Sequence, residues 1–535
     1  MKNGTYFGID FGTTNTAVVK VIVSESDTGK TDVQITNLGE EGNYPFSSIV
    51  AIPRGMCSGA SKSAGVNSPR LLFGRAVKRR RFELSKDYII ITSIKTMLNK
   101  GEDIKVRGGS LSALKITAAF LKYVKRYLFA KTGSDLDEAV FAVPIDFTAA
   151  ARAKLASAAA YAGIKVTGFV YESTAAYIAN RRQVRDLPRV MVVDWGGGTI
   201  DVSIIETAQG APLTNAGTVP DKTTPINLTK QGRKLREPEE DEYLLSERAV
   251  FGKRVGGDDL DTAFARRLHA KLSSFVPNLP AFEDIRTDTW RRDRDNITAV
   301  CEQIKLGFSD DDDDMDVTLR NYCDIGTKNL TISYRAFMGA VYPVVEEALR
   351  AIDVAMEQSN LTCDEIDGVI LVGGSCQLRV FRDLITKGFG DDNVHQPKKM
   401  QWSVAEGAAV ISALSLMCEL EEDVGEVLFD GGFVPLIRKG TVPPYTSEKT
   451  VKFVLSNDDK KAGFIFTNRS RSTHYGHLEV PTEGVPREEI QVRCLLRLDG
   501  TATFYLKSGA TDEEICHNIE NLKYCYSLPK SSMNF

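Results

Sequence analysis

At 535 residues the chain exceeds what one hydrophobic core usually holds, so two or three structural units are expected. With 42% apolar and 26% charged residues and a net charge of −4, it has no overall electrostatic drive toward nucleic acid or an anionic membrane. No apolar run approaches the roughly 20 residues of a membrane span and "MKNGTYFGID" lacks a signal-peptide core, so the expectation is a cytoplasmic protein with no membrane and no nucleic-acid partner. Nine cysteines, an odd number without CxxC spacing, fit reduced thiols better than a disulfide framework or a zinc site.

In chain order, "YFGIDFGTTNTAVVKV" reads as two apolar strands joined by a turn that carries Asp10, Gly12, Thr13, Thr14 and Asn15. "SDTGKTDV" ends like a phosphate-binding loop in Gly29, Lys30 and Thr31. Position 24 is serine where that motif needs glycine, however, and the segment reads as the link of a hairpin. "RGMCSGASKSAGVNSP" is loop by composition, and "KRRRF" is a local basic run. A helix is expected over "LSALKITAAFLKYVKRYLF", where Ala113, Ile116, Phe120, Tyr123 and Tyr127 share one stripe. The strand "EAVFAVP", the alanine-rich helix "FTAAARAKLASAAAYAG" closing at Gly163, and "KVTGFVYESTAAYIAN" follow.

"MVVDWGGGTIDVSII", from Met191 to Ile205, then sets Asp194 and three glycines between two apolar strands. A plain hairpin would need one or two glycines, whereas three in a row expose consecutive N–H groups as a nest suited to phosphate. "DFGTTNTAVV" lies over "DWGGGTIDVS", and the strands and helices after each copy argue for a duplicated α/β unit whose halves face one cleft. Residues 207–250 form a polar insertion of unassigned purpose. Beyond it come "VGGDDLD", "CEQIKLGFS", a long helix near "AFMGAVYPVVEEALRAIDVAMEQ" and "IDGVILVGGSCQL". Glu302, Lys305 and Ser309 fall at i, i+3 and i+7 on one helical face, and the run Asp310 to Asp314 reads as a solvated loop.

"GIDFGTTNTAV", "VVDWGGGTIDVSIIE", "VGGDDLD", "CEQIKLGFS" and "DGVILVGGS", in this order, resemble the nucleotide-binding domain of DnaK-type chaperones, the heat shock protein 70 family. The resemblance spans residues 4 to 416 and, more loosely, 430 to 510. It implies an actin-like (RNase H-like) ATPase domain over 1–416 that takes ATP/ADP and Mg²⁺ and hydrolyses ATP slowly. By resemblance, Asp10 and Asp194 hold the metal through its waters, and Gly12, Thr13, Thr14 and Asn15 close on the phosphates opposite Gly196, Gly197, Gly198 and Thr199. Lys95 in "ITSIKTMLN" corresponds to a lysine reaching the terminal phosphate, Glu172 to a glutamate near the metal and attacking water, and Asp201 to an acid beside the second turn. Gly256, Gly257 and Asp258 also fall to the nucleotide. Glu302, Lys305 and Ser309 resemble the adenosine pocket, with Gly373, Gly374, Ser375 and Gln377 on its other side. Four positions depart from the family pattern: Gln377 replaces an arginine that stacks on adenine, Gln401 an aspartate, Ser173 a proline after the glutamate, and Asp146 an aromatic between Pro144 and Arg152, which match a family switch.

After "EGAAVISALSLMCELEEDVGEV" the pattern changes to short strands, with Asp499-Gly500 as a hairpin signal. A small all-β sandwich is expected over 430–520, resembling a shortened peptide-binding domain, after an acidic linker at 417–429 and before a tail at 521–535 that is too short for the family's helical lid. His474 and His477 have no partners that would make a metal site. The resemblance thus implies a monomeric chaperone for unfolded or extended polypeptide, with a J-domain co-chaperone and a nucleotide exchange factor as further partners. Two other readings stay open: a nucleotide-gated scaffold that does not hydrolyse, and an actin-like filament former or small-molecule kinase.

Overall fold

The computed structural model describes residues 3–25, 31–41, 43–54, 71–106, 109–144, 147–209, 242–276, 279–286, 291–310, 312–320, 322–416, 418–511 and 513–529. Gly29, Lys30, Asp146, Asp311, residues 210–241 of the insertion and nearly all of "RGMCSGASKSAGVNSP" lie outside the described residues. The chain divides into two units, the first of residues 1–147, 154–205 and 248–414, the second of 148–153, 206–247 and 415–535.

In the first unit the duplication is visible in strand order. One sheet runs Lys165–Tyr171, Glu138–Val143, Gly4–Phe11, Asn15–Glu25, Thr31–Leu38; the other runs Val394–His395, Gly368–Val372, Arg189–Trp195, Ile200–Gln209, Glu242–Lys253. In both, the strand carrying the key aspartate lies between its hairpin partner and a parallel strand: Asp10 pairs in register with Ala142, and Asp194 with Val372. Parallel strands buried on both faces read as continuous apolar runs, as "VMVVDW" and "GVILV" do. The helix Met400–Leu414 lies so close on Gly4–Phe11 that a Cβ at Gly8 would sit 2.1 Å from the Ala409 nitrogen.

Helix Ala113–Thr132 starts at Ser112, whose hydroxyl accepts from the Lys115 N–H. The expected stripe faces inward: Ile116 and Phe120 are buried, while Tyr123 and Tyr127 stand edge-on to Phe46. The long helix near "AFMGAVYPVVEEALRAIDVAMEQ" spans Tyr334–Ser359, and its Phe337 packs with Phe264 and Phe308 in the core around Trp195. The segment around "SDTGKTDV" joins Asn15–Glu25 to its antiparallel partner Thr31–Leu38, as a hairpin requires.

The second unit contains a β-sandwich. One sheet is Phe433–Ile437, Val424–Val427, Lys461–Asn468 and His474–Pro481; the other is Tyr445–Thr446, Glu489–Leu496, Ala502–Lys507 and Ile515–Ile519, with Val451–Val454 also on Glu489–Leu496. Val424, Phe464, Phe466 and Val480 meet Ile490, Val492, Phe504 and Leu506 in its core. Gly500, at φ +83°, makes the Asp499-Gly500 turn.

Two expectations change here. Residues 417–429 hold the strands Cys418–Leu420 and Val424–Val427 in place of a linker, and residues 521–535 hold the strand Tyr524–Pro529 in place of a bare tail. The acids that made 417–429 look solvent-facing find partners inside the unit. Glu422 accepts from the Tyr475 hydroxyl at 2.8 Å and from Asn468 Nδ2 at 2.7 Å, and Glu426 accepts from the Ile465 N–H at 3.0 Å.

Candidate functional site

Both aspartate strands of the first unit end at the same cleft. Asp10, Gly12, Thr13, Thr14, Asn15, Lys95, Glu172, Asp194, Gly196, Gly197, Thr199, Gly373 and Gly374 line it, together with Ala17, Pro45, Met400, Gln401 and Val404. It encloses about 640 Å³ of empty space, its open mouth included, within the range of small-molecule sites.

Hydrogen bonds from outside each turn fix its shape. Ser48 Oγ donates to the Gly12 carbonyl at 2.9 Å, the Ser48 N–H to Thr14 O at 2.9 Å, and the Ser48 and Thr16 hydroxyls meet at 2.9 Å. In the second turn Gly196 N–H donates to Thr199 O at 2.9 Å, so one of the three donors expected to form the nest is spent inside the turn. The Gly196 carbonyl accepts from Ser375 Oγ at 2.7 Å and Gly257 N–H at 3.1 Å, and the Gly197 carbonyl from Asp258 N–H at 2.8 Å. The two turns nearly touch. A Cβ on Gly197 would sit 1.9 Å from Thr14 Oγ1, and one on Gly198 2.8 Å from Thr13 Cγ2. Gly373, at φ +84°, has no room for a side chain either, because its Cβ would fall 2.5 Å from Asp194 Oδ1.

The charges are concentrated and buried. Lys95, on the short helix Ile94–Lys100, places Nζ 2.6 Å from Glu172 Oε1, with 6% and 8% of the two side chains exposed. Burial and the nearby Glu172 push Asp10 up to about 7, with Lys95 pulling the other way. Burial, then Glu172, Asp10 and Asp201, push Asp194 well above the ordinary carboxylate range. For Lys95, burial would lower the pKa, but Glu172, Asp10 and Asp201 outweigh it and leave it raised. Asp201 is 1% exposed, on the strand that leaves the second turn.

Four carboxylates therefore act on one lysine, a surplus of buried negative charge that a divalent cation would neutralise. Among the described residues no three His, Cys, Asp or Glu side chains are arranged to hold a metal directly. Two separated aspartates do suit Mg²⁺, which keeps most of its waters. The Thr14 hydroxyl is buried without a hydrogen-bond partner, leaving a donor for an anion in the cleft. The residues present thus fit a hydrated metal with phosphates.

The remaining expected site residues form an adjoining group. Lys305 Nζ donates to the Gly257 carbonyl at 3.0 Å and to Asp261 Oδ2 at 2.9 Å, and a Cβ on Gly257 would meet Ser375 Oγ at 2.9 Å. Gly256 N–H donates to Asp259 at 2.8 Å as the helix Gly257–Ser273 begins. Ser309 bonds back to the Lys305 carbonyl at 3.0 Å. Glu302 pairs with Lys78 at 2.7 Å; burial would raise its carboxyl, but Lys78 and Lys305 outweigh that and hold it low. Gln377 ends the turn Gly374–Gln377 half-buried and is not among the residues lining the cleft; Gln401 is. Arg152 lies in the second unit, where its Nε donates to the Asp499 carbonyl at 2.6 Å.

Sequence reasoning missed Asp261, Lys78 and Ser48. Asp261 lies within "VGGDDLD", four positions after Gly257, and Lys78 in the "KRRRF" run. Ser48 had no signal of its own. His474 and His477 join no metal cluster among the described residues, and there no helix is long and apolar enough to cross a membrane.

Residues 6–223 and 248–430 match the model of the family described as Hsp70 protein, and the chain belongs to the Hsp70 family. It is similar to "Chaperone protein DnaK" of Mycoplasmopsis agalactiae, at 24% identity over 556 residues covering 97% of this chain and 80% of that one. The namesakes in Mycoplasmopsis synoviae and Mycoplasmoides gallisepticum are also 24% identical, over 97% of this chain and 80% and 81% of theirs. The family match breaks between 223 and 248, inside the polar insertion.

Proposed function

We propose that this chain binds ATP with Mg²⁺ in the first-unit cleft, hydrolyses it slowly, and uses the nucleotide state to control how the second unit holds unfolded or extended polypeptide. The observation that carries this reading is the convergence of Asp10, Asp194, Lys95 and Glu172 between two mutually touching glycine turns. Phosphoryl transfer asks for positioning and charge neutralisation more than covalent chemistry. Mg²⁺, when bound, would neutralise the phosphate oxygens, with Asp10 and Asp194 accepting hydrogen bonds from its waters.

Gly12 to Asn15 and Gly196 to Thr199 hold the phosphates from opposite sides, and the Thr13, Thr14 and Thr199 hydroxyls donate to their oxygens. Lys95 supplies a positive charge at the terminal phosphate. Glu172, steered by Lys95, orients the water that attacks. Gly256, Gly257, Asp258, Glu302, Lys305, Ser309, Ser375 and Gln377 frame the nucleoside. A J-domain co-chaperone and a nucleotide exchange factor are the further partners this reading invites. A second reading, binding without turnover, draws support from Gln401 lining the cleft and Gln377 standing where the family has arginine.

Calorimetric titration with ATP tests the binding step. Affinity that rises at least tenfold with Mg²⁺ and falls in Asp10→Asn supports the reading; no ATP binding with Mg²⁺ present would overturn it.

A further inference from the structure

None of the described residues of the excursion 206–247 lines the cleft, yet its return strand is built into the second unit. Tyr524–Pro529 runs antiparallel to that strand, in register from Glu242↔Pro529 to Ser246↔Cys525. Its other edge pairs with Cys418–Leu420, from Cys418↔Tyr526 to Leu420↔Tyr524. Cys525, Tyr526 and Leu528 are buried, as are Leu245 and Leu420 on the neighbouring strands. Ser246 Oγ donates to Glu421 Oε1 at 2.5 Å, and Glu421 N–H to the Lys523 carbonyl at 3.0 Å. At the start of the strand, the Tyr524 hydroxyl donates to the Gly500 carbonyl at 3.0 Å while Arg152 Nε donates to the Asp499 carbonyl at 2.6 Å. Two successive carbonyls of one hairpin turn are thus held by donors from segments far apart in the chain.

We propose that Tyr524–Pro529 is a strap that recruits the return strand of the excursion into the second unit and, through Tyr524, fixes the Asp499–Gly500 turn that Arg152 also holds. Each neighbour has one further anchor: Glu242–Lys253 pairs with Ile200–Gln209 on its other edge, and Leu420 N–H donates to the Thr441 carbonyl at 2.9 Å while its carbonyl accepts from Gly440 N–H at 2.8 Å. Cys418–Leu420 is three residues long, and an isolated two-stranded ribbon is marginal in water. Release of the strap would leave two unpaired strand edges at once, which costs more than losing one. The edges of Glu242–Lys253 and Cys418–Leu420 that face the strap therefore open and close with it, while their other edges keep their own partners. This inference is independent of the proposed function.

Hydrogen exchange on the full chain, followed by mass spectrometry, tests it. The amides of 525–528 that donate to either neighbour, and those of 242–247 and 418–420 that donate to the strap, are expected to exchange as one class. In Tyr524→Phe, loss of one hydrogen bond should speed exchange of the Arg497 and Gly500 amides by about fivefold and leave the ladder protected. In Tyr526→Pro the strap and the neighbouring amides that donate to it should lose protection while 461–468 and 489–496 keep theirs; if that variant does not fold, the unmodified chain and Tyr524→Phe still decide. Separate exchange classes for the strap and for the amides that donate to it, or unchanged protection of every amide of 242–247 and 418–420 after loss of 525–528, would overturn the strap. So would protection that disappears on dilution, which would mean that a second copy supplies the strand.

Discussion

Lys95 and Glu172 form the most constrained contact in the cleft. Removing one partner of a buried pair leaves the other charge unpaired, at a cost of about 3–5 kcal/mol. Lys95→Ala should therefore lower thermal stability as well as turnover, whereas Glu172→Gln should keep much of the fold and lose turnover by roughly a hundredfold; equal turnover in Glu172→Gln would remove that side chain from the mechanism. Gly197 is limited by space. An alanine there places Cβ against Thr14 Oγ1, so the turns must part. Nucleotide affinity of Gly197→Ala should fall by an order of magnitude or more and recover in part when Thr14→Ala removes the hydroxyl. An unchanged dissociation constant for Gly197→Ala would show that the turns need not approach.

Between elements, the clearest device is the pair Lys78–Glu302, which ties the helix Gly74–Leu84 to the helix Arg291–Asp310. The two side chains are 29% and 27% exposed, so the pair is worth about 1 kcal/mol or less after solvent screening. Lys78→Ala should speed nucleotide release by a few-fold, with the largest difference at low salt, as stopped-flow displacement of a fluorescent nucleotide would read. A salt-independent release rate equal to that of the unmodified chain would mean the pair does not restrain the cleft. In the sandwich, the strand Val424–Val427 carries Glu426, 4% exposed, with one oxygen accepting from the Ile465 N–H and the other unpartnered. Burial pushes its carboxyl up from 4.5 to about 7. The folded state then holds a proton that the unfolded state has already released between those values. The contribution of Glu426 is thus fully present below about pH 4.5, declines as pH rises, and is lost above about pH 7. That loss is on the order of 3 kcal/mol. Glu426→Gln should stabilise the sandwich at pH 8 relative to the unmodified chain and erase the difference near pH 4, as urea unfolding followed by exchange at 461–468 would show. Parallel pH profiles for the two proteins would contradict this.

For the whole molecule, what could be read in advance followed the range of the interactions. The glycine turns, the aspartates ending their strands, the helix with the Ala113–Tyr127 stripe and the Asp499-Gly500 hairpin rest on local rules of turn geometry and periodicity, and each was legible. The touching of Gly197 with Thr14 was foreshadowed only by the repeat of two similar hairpins. The division into units was not legible, because the pairing of Glu242–Ser246 with Tyr524–Pro529 joins segments whose own sequences carry no mark of each other. Nor was the strand Val424–Val427, since Glu421, Glu422 and Glu426 look solvent-seeking until Ser246, Tyr475, Asn468 and the Ile465 N–H are found to donate to them, to Glu426 through one oxygen alone.

The central claim couples the chemistry of the first unit to polypeptide in the second. Single-turnover hydrolysis of ATP with Mg²⁺, with and without an unfolded polypeptide and with Lys95→Ala as control, tests it most directly. The account predicts slow hydrolysis that polypeptide accelerates and that Lys95→Ala abolishes. Tight ATP binding with no hydrolysis under either condition would contradict it and leave a nucleotide-gated scaffold.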